Sequence, residues 1–176
     1  MEKNERKTRI AVFVDGSNLF YLQKSKLNVR FDLKKLLEYI GRFGDVVYAC
    51  FYTGQDLQAE DNKQQGFIDK LPHLHFSVVT KPLKTIHDVV TGNPIKQKAN
   101  LDVEIVLDMF NTIDNYDMAV LISGDGDFVR PLELLRAKGK TFKVLAIHET
   151  IARELLRLAG MDYIDFRDIL EHICKE

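Results

Sequence analysis

The sequence has few of the features that identify several common protein classes. Only two cysteines occur in 176 residues, Cys50 and Cys174, and neither has the neighbouring cysteine or histidine that a zinc site would need. No apolar run approaches the roughly 18–20 residues of a membrane-spanning helix. The charged segment 1–9 lacks the apolar core of a signal peptide. We therefore expect a soluble, cytoplasmic protein with reduced thiols that does not contact a membrane.

The chain also lacks internal repeats, low-complexity tracts and linker-like segments. A length of 176 residues fits one domain with a full hydrophobic core. Its 45% hydrophobic and 29% charged residues are typical of globular proteins. We expect residues 9–176 to form a single domain, preceded by a charged lead-in at residues 1–8.

An overall excess of positive charge is absent as well, because the formal net charge is −1. The segment 63–100 is nevertheless basic, with six lysines and three histidines against two aspartates. Such a stretch is typical of proteins that hold a phosphate chain, although an ordinary solvated surface is the alternative interpretation. The candidate phosphate-binding residues are Lys81, Lys84, Lys96, Lys98 and Arg130.

Short apolar runs alternate with helical patterns along the chain. Strands are expected at 9–14, 46–52, 75–80, 118–122, 141–147 and 163–166. Helices are expected after Asp32, over about 57–71, 100–110 and 128–138, from about residue 150 and at the C-terminus. The segment 81–97 carries turn signals that predict a hairpin or an irregular loop. The pattern indicates an α/β fold with three layers, in which helices cover both faces of a mostly parallel central sheet.

Two predicted strands end in acidic turns that contain glycine. The first strand runs into Asp15-Gly-Ser-Asn18, and the strand at 118–122 runs into Ser123-Gly-Asp-Gly-Asp-Phe128. Ligands of open α/β sheets collect outside the carboxyl ends of the strands, so we expect Asp15, Asp125 and Asp127 to share one crevice. The glycines of these turns allow left-handed backbone angles and close approach of the backbone.

A further carboxylate is expected from the helix that begins near residue 100. Asp102 lies in its first turn and can point into the same crevice, whereas Asp108 lies about 240° further round the helix and should face elsewhere. Several carboxylates repel one another unless a cation offsets their charge, so Mg²⁺ or Mn²⁺ is expected, as one or two ions. Asn18 could add a neutral oxygen ligand or hold a carboxylate by a hydrogen bond. Helix capping is the alternative role for each aspartate taken singly.

These motifs resemble the NYN family of PIN-like ribonuclease domains. The likeness includes Val14-Asp-Gly-Ser-Asn18, Lys98 with Leu101-Asp-Val103, and Ser123-Gly-Asp-Gly-Asp-Phe128, in the family's order. The resemblance implies a Rossmann-like PIN fold with an acidic divalent-metal site that hydrolyses RNA. It also implies that four carboxylates bind the metal and act in catalysis, with Asn18 and Ser123 in support. These carboxylates are Asp15, Asp102, Asp125 and Asp127.

Other functions fit the residues less well. A phosphatase of the haloacid dehalogenase type would need an acidic residue at position 17, where this chain has Ser17. A dinucleotide-binding domain would need a glycine-rich phosphate turn after the first strand. The main alternative is a regulatory module that binds RNA or a nucleotide without cutting it. The expected partner is nucleic acid, with RNA favoured, and a homodimer is compatible with the sequence. Phe20 and Tyr21 are expected in the core, with base stacking as the alternative.

Overall fold

A computed structural model describes residues 6–56, 63–87 and 94–175, and it confirms the α/β fold. The described strands are β1 (Arg9–Asp15), β2 (Asp45–Gln55), β3 (Ser77–Pro82), β4 (Lys84–His87), β5 (Pro94–Lys98), β6 (Met118–Ile122), β7 (Thr141–Ala146) and β8 (Tyr163–Asp165). The described α-helices are α1 (Gly16–Tyr21), α2 (Leu33–Ile40), α3 (Lys63–Ile68), α4 (Asp102–Asn111), α5 (Val129–Ala137), α6 (Arg153–Ala159) and α7 (Leu170–Ile173). Residues Leu22–Leu27 form a π-helix directly after α1.

Six strands form a parallel sheet in the order β3-β2-β1-β6-β7-β8. The chain first builds outward from β1 to β3, and then returns to β6 on the other side of β1. The order of the strands therefore reverses between β1 and β6, which is where open α/β sheets place their ligands. The segment 81–97 contains an antiparallel pair, β4 with β5, so the predicted hairpin is confirmed where the structure describes it.

The sheet has helices on both faces because alternate strand residues point to opposite sides. In β1, Ile10, Val12 and Val14 pack into the core beneath α1, α2, α3 and α7. Ala11 and Phe13 pack into the opposite core, beneath α4, α5 and α6. All five side chains are fully buried. The expected three-layer arrangement is therefore confirmed.

Local details of the helices both confirm and correct the sequence-based expectations. Asp32 caps α2 as predicted, since its Oδ1 accepts hydrogen bonds from the backbone N–H groups of Lys34 and Lys35 at 2.9 and 3.2 Å. The helix expected over about 57–71 is described as the shorter α3, and residues 57–62 lie outside the described residues. Core placement of Phe20 and Tyr21 is wrong, because they are 38% and 48% exposed. No helix in the described ranges is both long and apolar enough to cross a membrane.

The helix expected from about residue 150 begins later, at Arg153, for a local reason. The backbone N–H of Ala152 donates to the carbonyl oxygen of Gly124 at 2.9 Å. The residues before α6 are thus hydrogen-bonded to the acidic loop that follows β6. This contact between distant segments could not be anticipated from the helical pattern.

The amino ends of β1 and β6 are joined by an ion pair between Arg9 and Asp117. The Arg9 guanidinium donates to both carboxylate oxygens of Asp117, at 2.7 and 3.1 Å, and the Arg9 backbone N–H donates to Oδ2 at 2.9 Å. These hydrogen bonds hold the pKa of Asp117 well below its usual range. The backbone N–H of Asp117 donates in turn to the carbonyl oxygen of Arg9 at 2.8 Å. Asp117 thus stabilises the end of the sheet opposite the acidic turns.

We expect Asp117→Asn to lower the free energy of unfolding by about 1 kcal/mol at neutral pH, because a partly exposed bidentate ion pair is lost. A lowered carboxyl pKa stabilises the fold above the unfolded-state value of about 4, and this contribution fades as pH falls through the lower folded-state value. The difference in the free energy of unfolding between wild type and Asp117→Asn should therefore be constant from about pH 5 upward and shrink below about pH 4.

Urea denaturation at several pH values measures this difference. Asp114→Asn is the matched control, because it removes the same charge nearby while only the backbone carbonyl of Asp114 contacts Arg9. An Asp117→Asn loss that did not change with pH would contradict the assignment to the ion pair.

Candidate metal centre

The carboxyl ends of β1 and β6 bring the first acidic turn beside the second. Val14 pairs with Ile122 in the parallel ladder, so Asp15 and Ser123 each come one position later. The Ser123 hydroxyl is buried and donates to Oδ2 of Asp15 at 2.9 Å. The same hydroxyl oxygen accepts a hydrogen bond from the backbone N–H of Asp125 at 3.2 Å. Ser123 therefore links Asp15 to the loop that carries the other acidic residues.

Three of the four predicted carboxylates meet in one cluster. Each of Asp102, Asp125 and Asp127 offers one carboxylate oxygen, and these oxygens lie within 4.8 Å of one another. Asp125 Oδ1 accepts from the backbone N–H of Asp127 at 3.0 Å, which fixes the loop. Asn100 Oδ1 accepts from the backbone N–H of Asp102 at 2.8 Å, which fixes the start of α4. The acidic cluster, defined as Asp102, Asp125 and Asp127, thus joins two elements far apart in sequence.

Asp15 lies outside the acidic cluster but close enough to respond to it. Burial raises the pKa of Asp15, and the negative charges of Asp102 and Asp125 raise it further. Hydrogen bonds from the Asn18 backbone N–H, at 3.1 Å, and from the Ser123 hydroxyl partly offset this increase. The Asn18 contact also caps α1, so Asp15 has the capping role that the sequence offered as the alternative.

The residues at this site fit a hard divalent cation. Oxygens on opposite sides of one ion lie about 4–5 Å apart, twice a metal–oxygen distance, and the acidic cluster falls within that span. Oxygen ligands are the type that Mg²⁺ and Mn²⁺ prefer. The Asn18 side chain, one turn from Asp15, adds a buried Oδ1 atom with no hydrogen-bond partner among the described residues. A buried acceptor without a partner is costly, so it is a further candidate oxygen ligand.

Glycines in the acidic loop allow close packing rather than unusual backbone angles. The left-handed angles that glycine allows are not adopted there, since the described glycines with positive φ are Gly44, Gly139 and Gly160. A Cβ atom at Gly124 would lie 3.1 Å from the Ile151 Cα. At Gly126 it would lie 3.0 Å from Oε1 of Glu154. The backbone before α6 therefore leaves little room for a side chain at Gly124, whereas the Glu154 side chain at Gly126 can move aside.

Two residues near the acidic cluster were missed by the sequence analysis. Asn100 caps the backbone at Asp102, and its position just before a predicted helix is a signal that could have identified it. Glu154 brings another carboxylate against the loop at Gly126. It lies far from the loop in sequence, so only the fold reveals that the two segments meet.

The predicted phosphate-binding residues have different surroundings. Lys81 Nζ donates to Glu104 Oε1 at 2.7 Å and to the Asn100 carbonyl oxygen at 3.1 Å, so it supports the start of α4. Arg130 pairs with Glu133 at 3.1 Å on the surface of α5. Lys84 is exposed on β4. Lys96 and Lys98 lie in β5, and their side chains are outside the described residues.

Asp108 has a structural role away from the acidic cluster, in agreement with the helical spacing. Its Oδ2 accepts a hydrogen bond from the Tyr52 hydroxyl at 2.8 Å. Tyr52 is almost fully buried on β2. Asp108 therefore satisfies a core hydroxyl, and Asp102 on the same helix belongs to the acidic cluster.

Comparison with known proteins gives relatives that cover nearly the whole chain. The chain is 46% identical to the Low amplitude and bright protein LabA of Synechococcus elongatus over 172 residues, which are 97% of this chain and 90% of that protein. It is 24% identical to an uncharacterized protein of Methanocaldococcus jannaschii over 92% of this chain and 56% of that protein.

A solved structure and a family model complete the comparison. The crystal structure of a protein of unknown function from Vibrio parahaemolyticus superposes with a TM-score of 0.79 at 25% identity, covering 98% of this chain and 99% of that one. The model of the NYN domain matches residues 9–173. This match includes every residue of the acidic cluster, Asp15, and the strands β1 and β6. The chain therefore belongs to the NYN domain family, a family of PIN-like nuclease domains.

Proposed function

We propose that this protein is a divalent-metal-dependent ribonuclease that hydrolyses RNA phosphodiester bonds at the acidic cluster. One observation carries the proposal: carboxylate oxygens of Asp102, Asp125 and Asp127 converge within 4.8 Å at the switch point of an NYN domain. Three carboxylates so close repel one another strongly when charged, and a divalent cation offsets that repulsion. Mg²⁺ and Mn²⁺ are the proposed cofactors because every candidate ligand atom is oxygen.

The residues of the site have separable roles in this proposal. Asp102, Asp125 and Asp127 would hold the metal, with Asp15 as the fourth carboxylate. When bound, the ion would supply a more acidic water and would stabilise charge on the phosphoryl group. Ser123 orients Asp15 through its hydroxyl and orients the loop through the Asp125 N–H. Because Asp125 and Asp127 are exposed, a strand of RNA can approach their carboxylates from solvent.

Positive charge near this edge of the sheet supports a phosphate-chain substrate. Lys84 is exposed on the hairpin that precedes α4, and Arg130, which also pairs with Glu133, follows the acidic loop at the start of α5. Lys81 acts differently, since its pairing with Glu104 fixes the helix that carries Asp102. RNA is the proposed nucleic acid because of the likeness to PIN-like ribonuclease domains.

Metal binding should depend on Asp102 and not on Asp108. We expect Asp102→Asn to weaken Mn²⁺ binding by about tenfold or more, because one anionic ligand is lost. Asp108→Asn is the matched control on the same helix, since its amide oxygen can still accept from the Tyr52 hydroxyl. Calorimetric titration measures the affinity. Mn²⁺ at about 100 times its Kd should also raise the unfolding free energy by about 2.7 kcal/mol. Equal affinities for the two variants would contradict the assignment.

RNA cleavage should require both the metal and the acidic cluster. Labelled single-stranded and hairpin RNAs should be cut with Mg²⁺ or Mn²⁺, and chelator should stop the reaction. We expect Asp125→Asn to lower the rate by about 10²-fold or more, because a charge that stabilises the metal-bound site is removed. Glu38→Gln on α2 serves as a control for an exposed carboxylate outside the cluster. Intact RNA across metals and substrates, with binding retained, would favour the regulatory module instead.

Ser123→Ala tests the orienting hydrogen bonds. The substitution removes the donor to Asp15 and the acceptor for the Asp125 N–H while keeping a small buried side chain. We expect metal affinity or cleavage rate to fall by about 10-fold to 100-fold, as is usual for residues that orient ligands. Ser123→Cys, which retains a weak donor and acceptor, should recover part of the loss. Unchanged cleavage and metal affinity in Ser123→Ala would show that the link to Asp15 has no functional role.

A further inference from the structure

A second candidate ligand site lies on the opposite face of the sheet from the acidic cluster. A cavity of about 930 Å³ is bounded by α1, the π-helix, α3 and the segment 28–33. Its apolar floor includes Phe31 and Phe51, which belong to the core beneath α1 and α2. Asp102 of the acidic cluster instead begins α4, which covers the opposite core. The cavity is therefore separate from the proposed metal centre.

The side chains that line this cavity combine positive charge with aromatic surface. Four of them are cations, and none of the described lining residues is acidic. The cations come from three separate parts of the chain and are Lys24, Arg30, Lys63 and Lys175. We call this site the cationic cavity. In a chain with net charge −1, the positive charges of Lys24, Arg30 and Lys175 favour an anionic ligand at this lining.

Phe20 supplies an aromatic surface at the cationic cavity. It packs against Phe67 and Phe51 with ring centroids 5.3 and 5.8 Å apart, so its position is fixed before any ligand binds. The residue is nevertheless 38% exposed. Lys24 follows four residues later, which places it on the same side of the helix as Phe20. An aromatic surface beside a cation is suited to a base that carries a phosphate.

The backbone around the cationic cavity is held in unusual conformations by specific contacts. The π-helix Leu22–Leu27 carries Lys24, and π-helical turns are rare and frequent at functional sites. Gln23 Oε1 accepts from the Phe31 N–H at 2.7 Å, which fixes the turn containing Arg30. The Lys175 backbone N–H donates to the Arg30 carbonyl oxygen at 3.0 Å. The cationic side chains are thus carried on backbone that is already ordered.

We propose that the cationic cavity binds a nucleotide unit, with its base against Phe20 and its phosphate among the cations. The volume is within the range of about 300–1,000 Å³ that small-molecule sites occupy. A free mononucleotide and one nucleotide of a single-stranded nucleic acid share this chemistry. The proposal does not depend on hydrolysis at the acidic cluster, because no residue of that cluster lines the cavity.

The first test is the binding of fluorescently labelled adenosine 5′-monophosphate, followed by anisotropy in chelator. Lys24→Gln should weaken binding about two- to fivefold, because one partly solvated charge pair is lost. Lys26→Gln is the matched control, since Lys26 lies on the same π-helix but does not line the cavity. Affinity should fall from about 50 to 200 mM salt, and less steeply for Lys24→Gln. Equal effects of the two lysine variants would overturn the proposal.

The second test separates the base from the phosphate. Phe20→Leu keeps an apolar side chain but removes the ring, and it should weaken binding about tenfold. Tyr21→Leu, at the exposed neighbouring position, should leave the affinity unchanged. A thermal melt checks that both variants remain folded. Displacement of the label by adenosine or by inorganic phosphate as effectively as by the nucleotide would overturn the proposal.

Two further experiments identify the source of the nucleotide and distinguish binding at the cationic cavity from binding at the acidic cluster. A single-stranded RNA octamer that competes at least about tenfold better than the four monophosphates, with the same dependence on Lys24, supports a strand as the ligand. Equal competition supports a free nucleotide. Asp125→Asn should bind the label like the wild type, whether or not it cuts RNA. Loss of nucleotide binding in Asp125→Asn would place the ligand at the acidic cluster and overturn the proposal.

Discussion

The parallel pairing of β1 with β6 is the constraint on which the candidate site depends. Because Val14 lies opposite Ile122, the two strands end at the same level and Asp15 meets the Ser123 hydroxyl. The Arg9–Asp117 ion pair joins the amino ends of the same two strands. A shift by one residue would turn Asp15 or Ser123 to the opposite face and separate the acidic turns.

Burial among like charges makes the charged form of Asp15 unfavourable, and the hydrogen bonds that Asp15 accepts only partly offset this. Backbone N–H groups stabilise Asp125 and support the backbone at Asp102, while Asp15 retains a raised pKa because it is buried among like charges. The fold maintains this unfavourable arrangement through packing elsewhere, including the close approach of Gly124 to the Ile151 backbone. Such local cost is expected where a site is prepared for a ligand of opposite charge.

The fold and the acidic residues were largely predictable because both follow from local periodicity. Asp15, Asp125 and Asp127 come directly after apolar runs, and the helical period separates Asp102 from Asp108. Contacts across the fold were not predictable in this way: Lys81 pairs with Glu104, and Glu154 lies against Gly126. Phe20 was wrongly predicted to lie in the core. Its aromatic contacts bury only part of the ring, and a sequence pattern does not distinguish a residue at the edge of the core from one at its centre.

Helix α1 connects the two proposed sites through its two ends. Its N-terminus is capped by Asp15 beside the acidic cluster, and Phe20 near its other end lines the cationic cavity. A Cβ at Gly16 would lie only 2.5 Å from the Tyr52 carbonyl oxygen, so the helix is seated tightly against β2. Movement of α1 would therefore disturb both sites at once.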